Sequence, residues 1–200
     1  MSVVLLVSGG LDSTLMAHLG KDVGIEQHPL FIDYGQRAKD QELRACRAAM
    51  KDLGLPPLVV ADLKGFGTLI RSGLTDVSLD LVEDAFTPGR NMLFLLVAAA
   101  HAVRVGADAV SIGLLHEDRS LFPDQTQKFI ASAEATLSVA LGKPIKVLTP
   151  LADFHKEDVV ALATAKGIHD TYSCHGGGPI PCGRCIACRE FIFEESNHGR

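Results

Sequence analysis

The sequence predicts an α/β protein with a doubly wound parallel sheet of about five strands. Short apolar runs alternate with longer segments of helical periodicity, a pattern typical of repeated strand–helix units. The first apolar run, residues 3–7, is followed at once by a glycine-rich turn and a helix start, as expected where a parallel sheet binds a phosphate group. Four of the five cysteines lie close together near the C-terminal end and predict a small metal-binding segment.

The elements can be assigned in chain order from periodicity and stop signals. Residues 3–7, VVLLV, are wholly apolar and rich in valine, which favours a strand buried on both faces. Four further strands are expected at residues 28–33, 57–61, 109–113 and 145–148. Helices are expected at residues 11–20, 38–53, 91–105, about 125–141 and 157–166. Gly54 and Gly167 stop two of these helices.

Residues 63–88 show no clear period. Two interpretations stay open for this segment, a loop or lid over the site and an ordinary surface excursion. The only shift in composition comes at Ser173, where the cysteine-rich tail begins. We therefore predict an α/β domain at residues 1–172 and a cysteine segment at residues 173–200 that packs on it.

The overall composition is that of a soluble globular enzyme, with 47% apolar and 22% charged residues. No apolar run reaches the ~20 residues of a membrane span, and the start, MSVVLL, has no basic region typical of a signal peptide. We therefore expect a cytoplasmic protein without a membrane partner. A formal charge of −5 argues against a broad nucleic-acid surface.

The stretch SGGLDS at residues 8–13 predicts a phosphate-binding loop. Its two glycines allow positive φ and a close approach of the backbone to a ligand. The N–H groups at the start of the following helix attract an anion. No lysine follows the glycines, so this is not the G-x-x-x-x-G-K-[ST] loop. A tight turn with a helix cap is the alternative.

The cysteine cluster predicts a metal site with the ligands Cys174, Cys182, Cys185 and Cys188. Two successive C-x₂-C spacings direct their sulfurs toward one centre, and four thiolates form a closed, structural Zn²⁺ site. An iron–sulfur cluster is also compatible with the spacing, but no other feature requires a redox centre. Cys46 shares a helical face with apolar residues, which indicates a buried structural thiol.

The order Ser-Gly-Gly-Leu-Asp-Ser at residues 8–13 resembles the pyrophosphate loop of the N-type ATP pyrophosphatases, which cleave ATP between its α and β phosphates. The resemblance implies an adenine nucleotide alpha hydrolase-like fold for residues 1–172. The residues that it implies for ATP binding are Ser8, Gly9, Gly10, Leu11, Asp12, Ser13, Asp33 and Gly113.

Further stretches match one family in the same order. They are DYGQR at 33–37, PGRN at 88–91, Gly113, Glu117-Asp118, FPD at 122–124, Lys156 and the four cysteines. From about residue 3 to 193 the chain resembles the 7-cyano-7-deazaguanine synthase family, which makes the nitrile precursor of queuosine and archaeosine. DYGQR, PGRN and the cysteine cluster are much more specific than the first loop.

The family resemblance implies an ATP-dependent carbon–nitrogen ligase. Such an enzyme converts 7-carboxy-7-deazaguanine and ammonia to 7-cyano-7-deazaguanine through adenylated intermediates and releases AMP and pyrophosphate. ATP, structural Zn²⁺ and Mg²⁺ are the implied cofactors, and a homodimer is the expected assembly.

The implied catalytic residues are Asp12, Arg90, Asp118, Asp124 and Lys156. Asp12 would orient the loop or bind Mg²⁺ through water. Arg90 and Lys156 would neutralise phosphate charge, although a single cation of either kind is more often a solvated surface group. Asp118 and Asp124 would face the substrate or metal, or else cap loops.

Six positions depart from the family pattern, and one of them is His175, which stands where the family's Ser-Cys-Tyr has its tyrosine. Gln125 and Thr126 stand where the family usually has Cys-Arg, and Ala38 stands where it usually has His. Leu115 and His116 replace Asn-Ala. These changes fall where substrate-facing residues are expected, whereas the ATP loop and the cysteines are intact.

Three other functions are alternatives to the nitrile-forming ligase. One is a related adenylating ligase or amidotransferase that acts on a different carboxylate or deazaguanine acceptor. A tRNA-modifying ATP pyrophosphatase is disfavoured by the acidic charge and by the absence of a cysteine near the ATP loop. A zinc-ribbon binding module is disfavoured because it has no need of an ATP loop.

Overall fold

Five parallel strands form the centre of the fold in the computed structural model, which describes residues 1–191. The strands are β1 (Ser2–Leu6), β2 (Glu26–Asp33), β3 (Val59–Asp62), β4 (Ala109–Ser111) and β5 (Lys146–Leu148). They pair in parallel in the order β3-β2-β1-β4-β5. The predicted fold class is therefore confirmed.

Helices cover both faces of this sheet. They are α1 (Leu11–Asp22), α2 (Lys39–Asp52), α3 (Lys64–Ile70), α4 (Arg90–Val105), α5 (Gln127–Leu141), α6 (Lys156–Ala165) and α7 (Ile186–Arg189). Val4 and Leu6 of the first strand face the core formed with α4 and α5, whereas Leu5 and Val7 face the core formed with α1, α2 and α6. Because side chains alternate along a strand, an all-apolar run buries both faces.

The cysteine outside the cluster lies in the second of these cores. Cys46 is 1% exposed, and burial raises the pKa of its thiol far above the ordinary value. The prediction of a buried structural thiol is confirmed.

Two short helices, α3 and α7, were not predicted from periodicity. In α3 the residues Gly65 and Gly67 hide any apolar pattern. A Cβ at Gly67 would lie 2.1 Å from the carbonyl oxygen of Tyr34, so this glycine serves a close approach between distant segments. The helix predicted from about residue 125 begins at Gln127, because the preceding residues Pro123–Gln125 form a 3₁₀ turn.

Residues 63–88 pack against the α/β domain. Leu74, Leu81 and Ala85 are buried, and the Arg37 guanidinium donates to the backbone carbonyls of Asp76 and Leu79. The segment therefore forms part of a wall above the sheet, and does not project as a separate excursion.

The sheet order places β1 between two strands whose connections run in opposite directions. In open α/β sheets, ligands bind beside the carboxyl ends of the strands at this switch point. The loops after β1, β2 and β4 meet there. Within residues 1–191, no helix has the length and apolar character needed to cross a membrane.

Candidate active site

The turn after β1 presents the N-terminus of α1 to a cavity of about 310 Å³. The hydroxyls of Ser13 and Thr14 donate to the carbonyl of Gly10, at 3.2 and 2.9 Å. The Ser8 N–H donates to Ser13 Oγ at 3.1 Å. These bonds fix the loop, while its hydroxyls and the positive end of a helix dipole line the cavity, as an anion requires.

The loop lies directly against α2. Gly9 has a φ of +79°, and a Cβ there would lie 2.3 Å from the carbonyl oxygen of Glu42. The Gly9 carbonyl also accepts from the Tyr172 N–H at 2.7 Å. Only glycine satisfies both the positive φ and the close approach, so the first glycine of the motif has a steric role.

Lys156 begins α6 and reaches across to the loop. Its Nζ lies 2.8 Å from each carboxylate oxygen of Asp12 and 2.9 Å from Glu190 Oε2. Burial disfavours its charged form, but the two carboxylates outweigh this effect and raise the pKa of Lys156. A charged ammonium therefore stands beside residues 8–13, the predicted phosphate loop.

Aromatic rings and Arg90 form the opposite wall. The Arg90 guanidinium carbon lies 5.9 Å from the centre of the Tyr34 ring, and that ring lies 5.2 Å from the ring of Phe94. All three side chains line the 310 Å³ cavity. The wall combines a flat apolar surface with a cation, which suits a planar heterocycle that carries a negative group.

The structure adds Glu42 and Gln36 to this cavity, and neither was predicted as a site residue. The Gln36 amide donates to Glu42 Oε2 at 2.9 Å and to the Ile32 carbonyl at 3.1 Å. Burial raises the pKa of Glu42 to about 7. The signal was present in the sequence, because Gln36 lies within the DYGQR stretch and Glu42 lies one helical turn beyond it.

A second cavity of about 670 Å³ adjoins the first. Both are lined by Asp12, Gly113, Gln125, Lys156 and Glu190, among others. The two cavities therefore form one cleft, divided at the Asp12–Lys156–Glu190 cluster.

Five residues predicted for the site line neither cavity; they are Gly9, Leu11, Asp33, Asp118 and Asp124. Asp33 accepts from the Gly35 N–H at 3.1 Å and lies 3.4 Å from Lys64 Nζ. Asp124 tethers the start of α4, because its backbone carbonyl accepts from the Asn91 side chain at 2.9 Å. Asp118 lies between His116 and His155.

Two departures from the family pattern, Gln125 and Thr126, have structural explanations. Gln125 lines both cavities, but its Oε1 accepts from the N–H groups of Leu121 and Phe122, each at 2.9 Å. Thr126 caps α5 by accepting from the Phe129 N–H at 3.2 Å. These two side chains therefore hold the local loop.

The four predicted metal ligands come together. The sulfurs of Cys174, Cys182, Cys185 and Cys188 all lie within 4.8 Å of one another. The N–H groups of Gly176 and Cys182 point at the Cys174 sulfur, at 3.3 and 3.2 Å. Four converging sulfurs that receive backbone N–H groups fit a thiolate-bound metal ion.

Comparison with known proteins identifies the family. A model of the queuosine biosynthesis protein QueC family matches residues 2–194. The chain is 36% identical over 202 residues to a 7-cyano-7-deazaguanine synthase of Nitratiruptor sp., covering 94% of this chain and 91% of that protein. The chain belongs to the QueC family. A second QueC relative is the 7-cyano-7-deazaguanine synthase of Thermosynechococcus vestitus, which is 35% identical to this chain. The alignment covers 93% of this chain and 87% of that protein.

Solved structures place this QueC chain within a wider fold. A predicted subunit of tRNA methyltransferase from Methanocaldococcus jannaschii matches with a TM-score of 0.56 at 21% identity, covering 82% of this chain and 74% of that one. A U34-tRNA thiolase from Methanococcus maripaludis, which carries a [4Fe-4S] cluster, matches with a TM-score of 0.55 at 15% identity, covering 91% and 61%. At these identities the likeness concerns the fold alone.

Proposed function

We propose that this chain converts 7-carboxy-7-deazaguanine and ammonia to 7-cyano-7-deazaguanine with ATP, like the relatives named above. The observation that carries the proposal is one shared cavity. The phosphate loop, Arg90 and Lys156 line it together with Glu42 and Gln36. Phosphate-binding groups and a pocket for a planar base thus lie in one cavity, where ATP and the carboxy-deazaguanine would meet.

The chemistry follows from the poor electrophilicity of a carboxylate. A carboxylate oxygen attacks the α-phosphorus of ATP, and pyrophosphate leaves with the electrons of the α–β bridge. Ammonia attacks the acyl carbon, loses a proton, and AMP leaves, giving an amide. The amide oxygen then attacks a second ATP in the same way, and loss of AMP and the remaining nitrogen-bound protons gives the nitrile.

The residues of the cleft supply position and charge. Amides and hydroxyls of residues 8–13 would hold the leaving pyrophosphate, and Lys156 would neutralise the charge that grows on it. Asp12 would hold Lys156 in place, since both of its carboxylate oxygens lie 2.8 Å from that ammonium. Arg90 would bind the negative group of the substrate.

Glu42 and Gln36 are proposed to bind the base. A purine-like ring presents neighbouring N–H donors along one edge, and a carboxylate oxygen with an adjacent amide provides acceptors for them. The Tyr34 and Phe94 rings would cover its face. This arrangement accounts for a carboxyl group placed inside the cavity without a lysine against it.

Two metal ions are proposed in addition to ATP. The four cysteine sulfurs fit Zn²⁺, and such a site holds residues 174–188 together without taking part in chemistry. Mg²⁺ would accompany the phosphates of ATP, and Asp12 of the loop would bind it through water. A cytoplasmic homodimer is proposed from the family resemblance.

An isotope experiment tests the proposed reaction. The enzyme is incubated with ATP, ammonium and the carboxy-deazaguanine labelled with ¹⁸O in both carboxylate oxygens. We expect the nitrile mass and two AMP molecules per nitrile, each with one ¹⁸O, because each oxygen leaves as part of AMP. Unlabelled AMP, or no nitrile, would exclude this route.

A second candidate is a ligase of the same kind that acts on another carboxylate. His116, which departs from the family pattern, lines the second cavity and favours this alternative. ATP consumption with a different carboxylate, without nitrile formation from the deazaguanine, would select it.

A further inference from the structure

We infer that His116, Asp118 and His155 form a binding site for a divalent transition-metal ion, separate from the cysteine cluster. Their ligand atoms lie within 4.8 Å of one another. His116 Nδ1 is 2.9 Å from Asp118 Oδ1, and His155 Nε2 is 3.8 Å from Asp118 Oδ2. Bonds of ~2.1 Å to one ion place neighbouring ligand atoms about 3.0–3.4 Å apart, so small shifts complete the site.

Backbone contacts bring the three side chains together. His116 and Asp118 lie on the loop after β4, and His155 immediately precedes α6. The His116 N–H donates to the Phe154 carbonyl at 3.0 Å, which joins the two loops. The rings of His116 and His155 then meet edge to face, with their centres 4.8 Å apart. The cluster is therefore held from both sides.

The hydrogen bonds at His116 favour a cation. The Asp118 N–H lies 3.4 Å from Nδ1 and requires a lone pair on that nitrogen. The Asp118 carboxylate at 2.9 Å requires a proton on the same nitrogen. One nitrogen cannot meet both demands at once. A metal ion bound to Nδ1 and Oδ1 would resolve the conflict by binding both lone pairs, and the long contact with the Asp118 N–H would then give way.

The donor set specifies the kind of ion. Two imidazoles with one carboxylate favour Zn²⁺, Fe²⁺ or Co²⁺ over Mg²⁺, which prefers oxygen ligands. Three protein ligands also leave coordination positions for water or an anion. His116 and His155 line the same cavity as Asp12 and Lys156, so these positions are open to an anionic oxygen of a bound substrate.

Cobalt titration tests the site in the whole protein. The chain is first loaded with one equivalent of Zn²⁺, which the four thiolates take up, and is then titrated with Co²⁺. We expect one further equivalent to bind with weak visible bands and no thiolate charge-transfer band. A thiolate band would show entry into the cysteine cluster, and no binding would exclude the site. Excess Mg²⁺ should leave the cobalt bands in place, and full displacement would also overturn the inference.

Variants assign the ligands. His116→Ala and His155→Ala should each weaken Co²⁺ binding about a hundredfold or more, since even outer-shell partners of a metal contribute 10–100-fold. His169→Ala removes an exposed histidine elsewhere and should bind Co²⁺ like wild type. Equal affinity in all three variants would refute the assignment. The wild-type spectrum decides the question even if a variant fails to fold, which circular dichroism reports.

Discussion

Two lysine–aspartate pairs join the same two helices, one at each end. Lys156 pairs with Asp12 at the start of α6 and α1, and Lys166 pairs with Asp22 near their ends. Each pair spans 144 residues of sequence, because the two helices run side by side in the same direction. The chemistry of the two pairs is identical, so their surroundings determine what each can do.

The surroundings differ in burial and in a third partner. The side chains of Lys156 and Asp12 are 10% and 27% exposed, whereas those of Lys166 and Asp22 are 23% and 52% exposed. Lys156 also contacts Glu190. Glu190 directly follows α7, which begins beside Cys185. The cysteine segment therefore reaches the phosphate loop through one chain of contacts, from Glu190 to Lys156 to Asp12. The pair at the other end has no such connection among the described residues.

Loss of the cysteine site should have the largest effect. Cys185→Ser should release the metal, and the free energy of unfolding should fall by more than about 4 kcal/mol, the range expected when a metal site is lost. Cys185 is 0% exposed, so no solvent ligand replaces the thiolate easily. Metal analysis and urea denaturation check this outcome.

The matched control is Cys46→Ser, which changes a cysteine in another core and should keep about one zinc per chain. If Cys185→Ser loses the metal but keeps full pyrophosphate release, the proposed contact chain from the cysteines to the loop is wrong. Iron in the purified protein would remove the zinc assignment.

The sequence predicted the strand, turn and helix start that carry Asp12, and also the convergence of the four cysteines, because the signals for both are local. A buried strand, two glycines and a helix start are adjacent along the chain, and the cysteine spacing is equally local. Glu190 and Glu42 were missed, since they reach the cleft only through the packing of α7 and α2. Asp33, which the resemblance implies for ATP binding, lines neither cavity and lies 3.4 Å from Lys64 Nζ, and its role in ATP binding stays a prediction.

Removal of the buried cation should have the next largest effect. Lys156→Met keeps the length of the side chain and removes its charge, and kcat/KM should fall by about 10²–10³, as for other groups that stabilise a developing anion. Pyrophosphate release measures the change. Lys166→Met removes the corresponding cation at the far end and should keep wild-type activity. Equal losses in both variants would show that the lysines act only through stability.

Glu42 extends the comparison to a third carboxyl group. It differs from Asp12 and Asp22 because its closest partner is an amide and not a lysine. Burial raises its pKa from an ordinary 4.5 to about 7, so the folded chain holds this proton where the unfolded chain has released it. Its stabilising contribution is therefore complete below pH 4.5 and is lost as pH rises through 7.

Glu42→Gln should remove this pH dependence. Between pH 4.5 and 7 the free energy of unfolding of wild type should fall relative to that of the variant, as urea denaturation at several pH values would show. Parallel pH curves for the two proteins would mean that Glu42 titrates normally in the folded chain.

The far pair should have the smallest effect. A hydrogen bond from Lys166 lowers the pKa of Asp22, so its contribution is present above pH 3.8 and disappears as pH falls through the lower, folded value. Asp22 is exposed, and solvent and salt screen such a pair. We therefore expect Asp22→Asn to leave the urea midpoint at neutral pH and physiological salt unchanged, with a small loss appearing only at low salt. A loss that does not depend on salt would instead show that the Lys166–Asp22 pair stabilises the fold about as much as the Lys156–Asp12 pair. The difference in burial would then not explain how the two pairs differ.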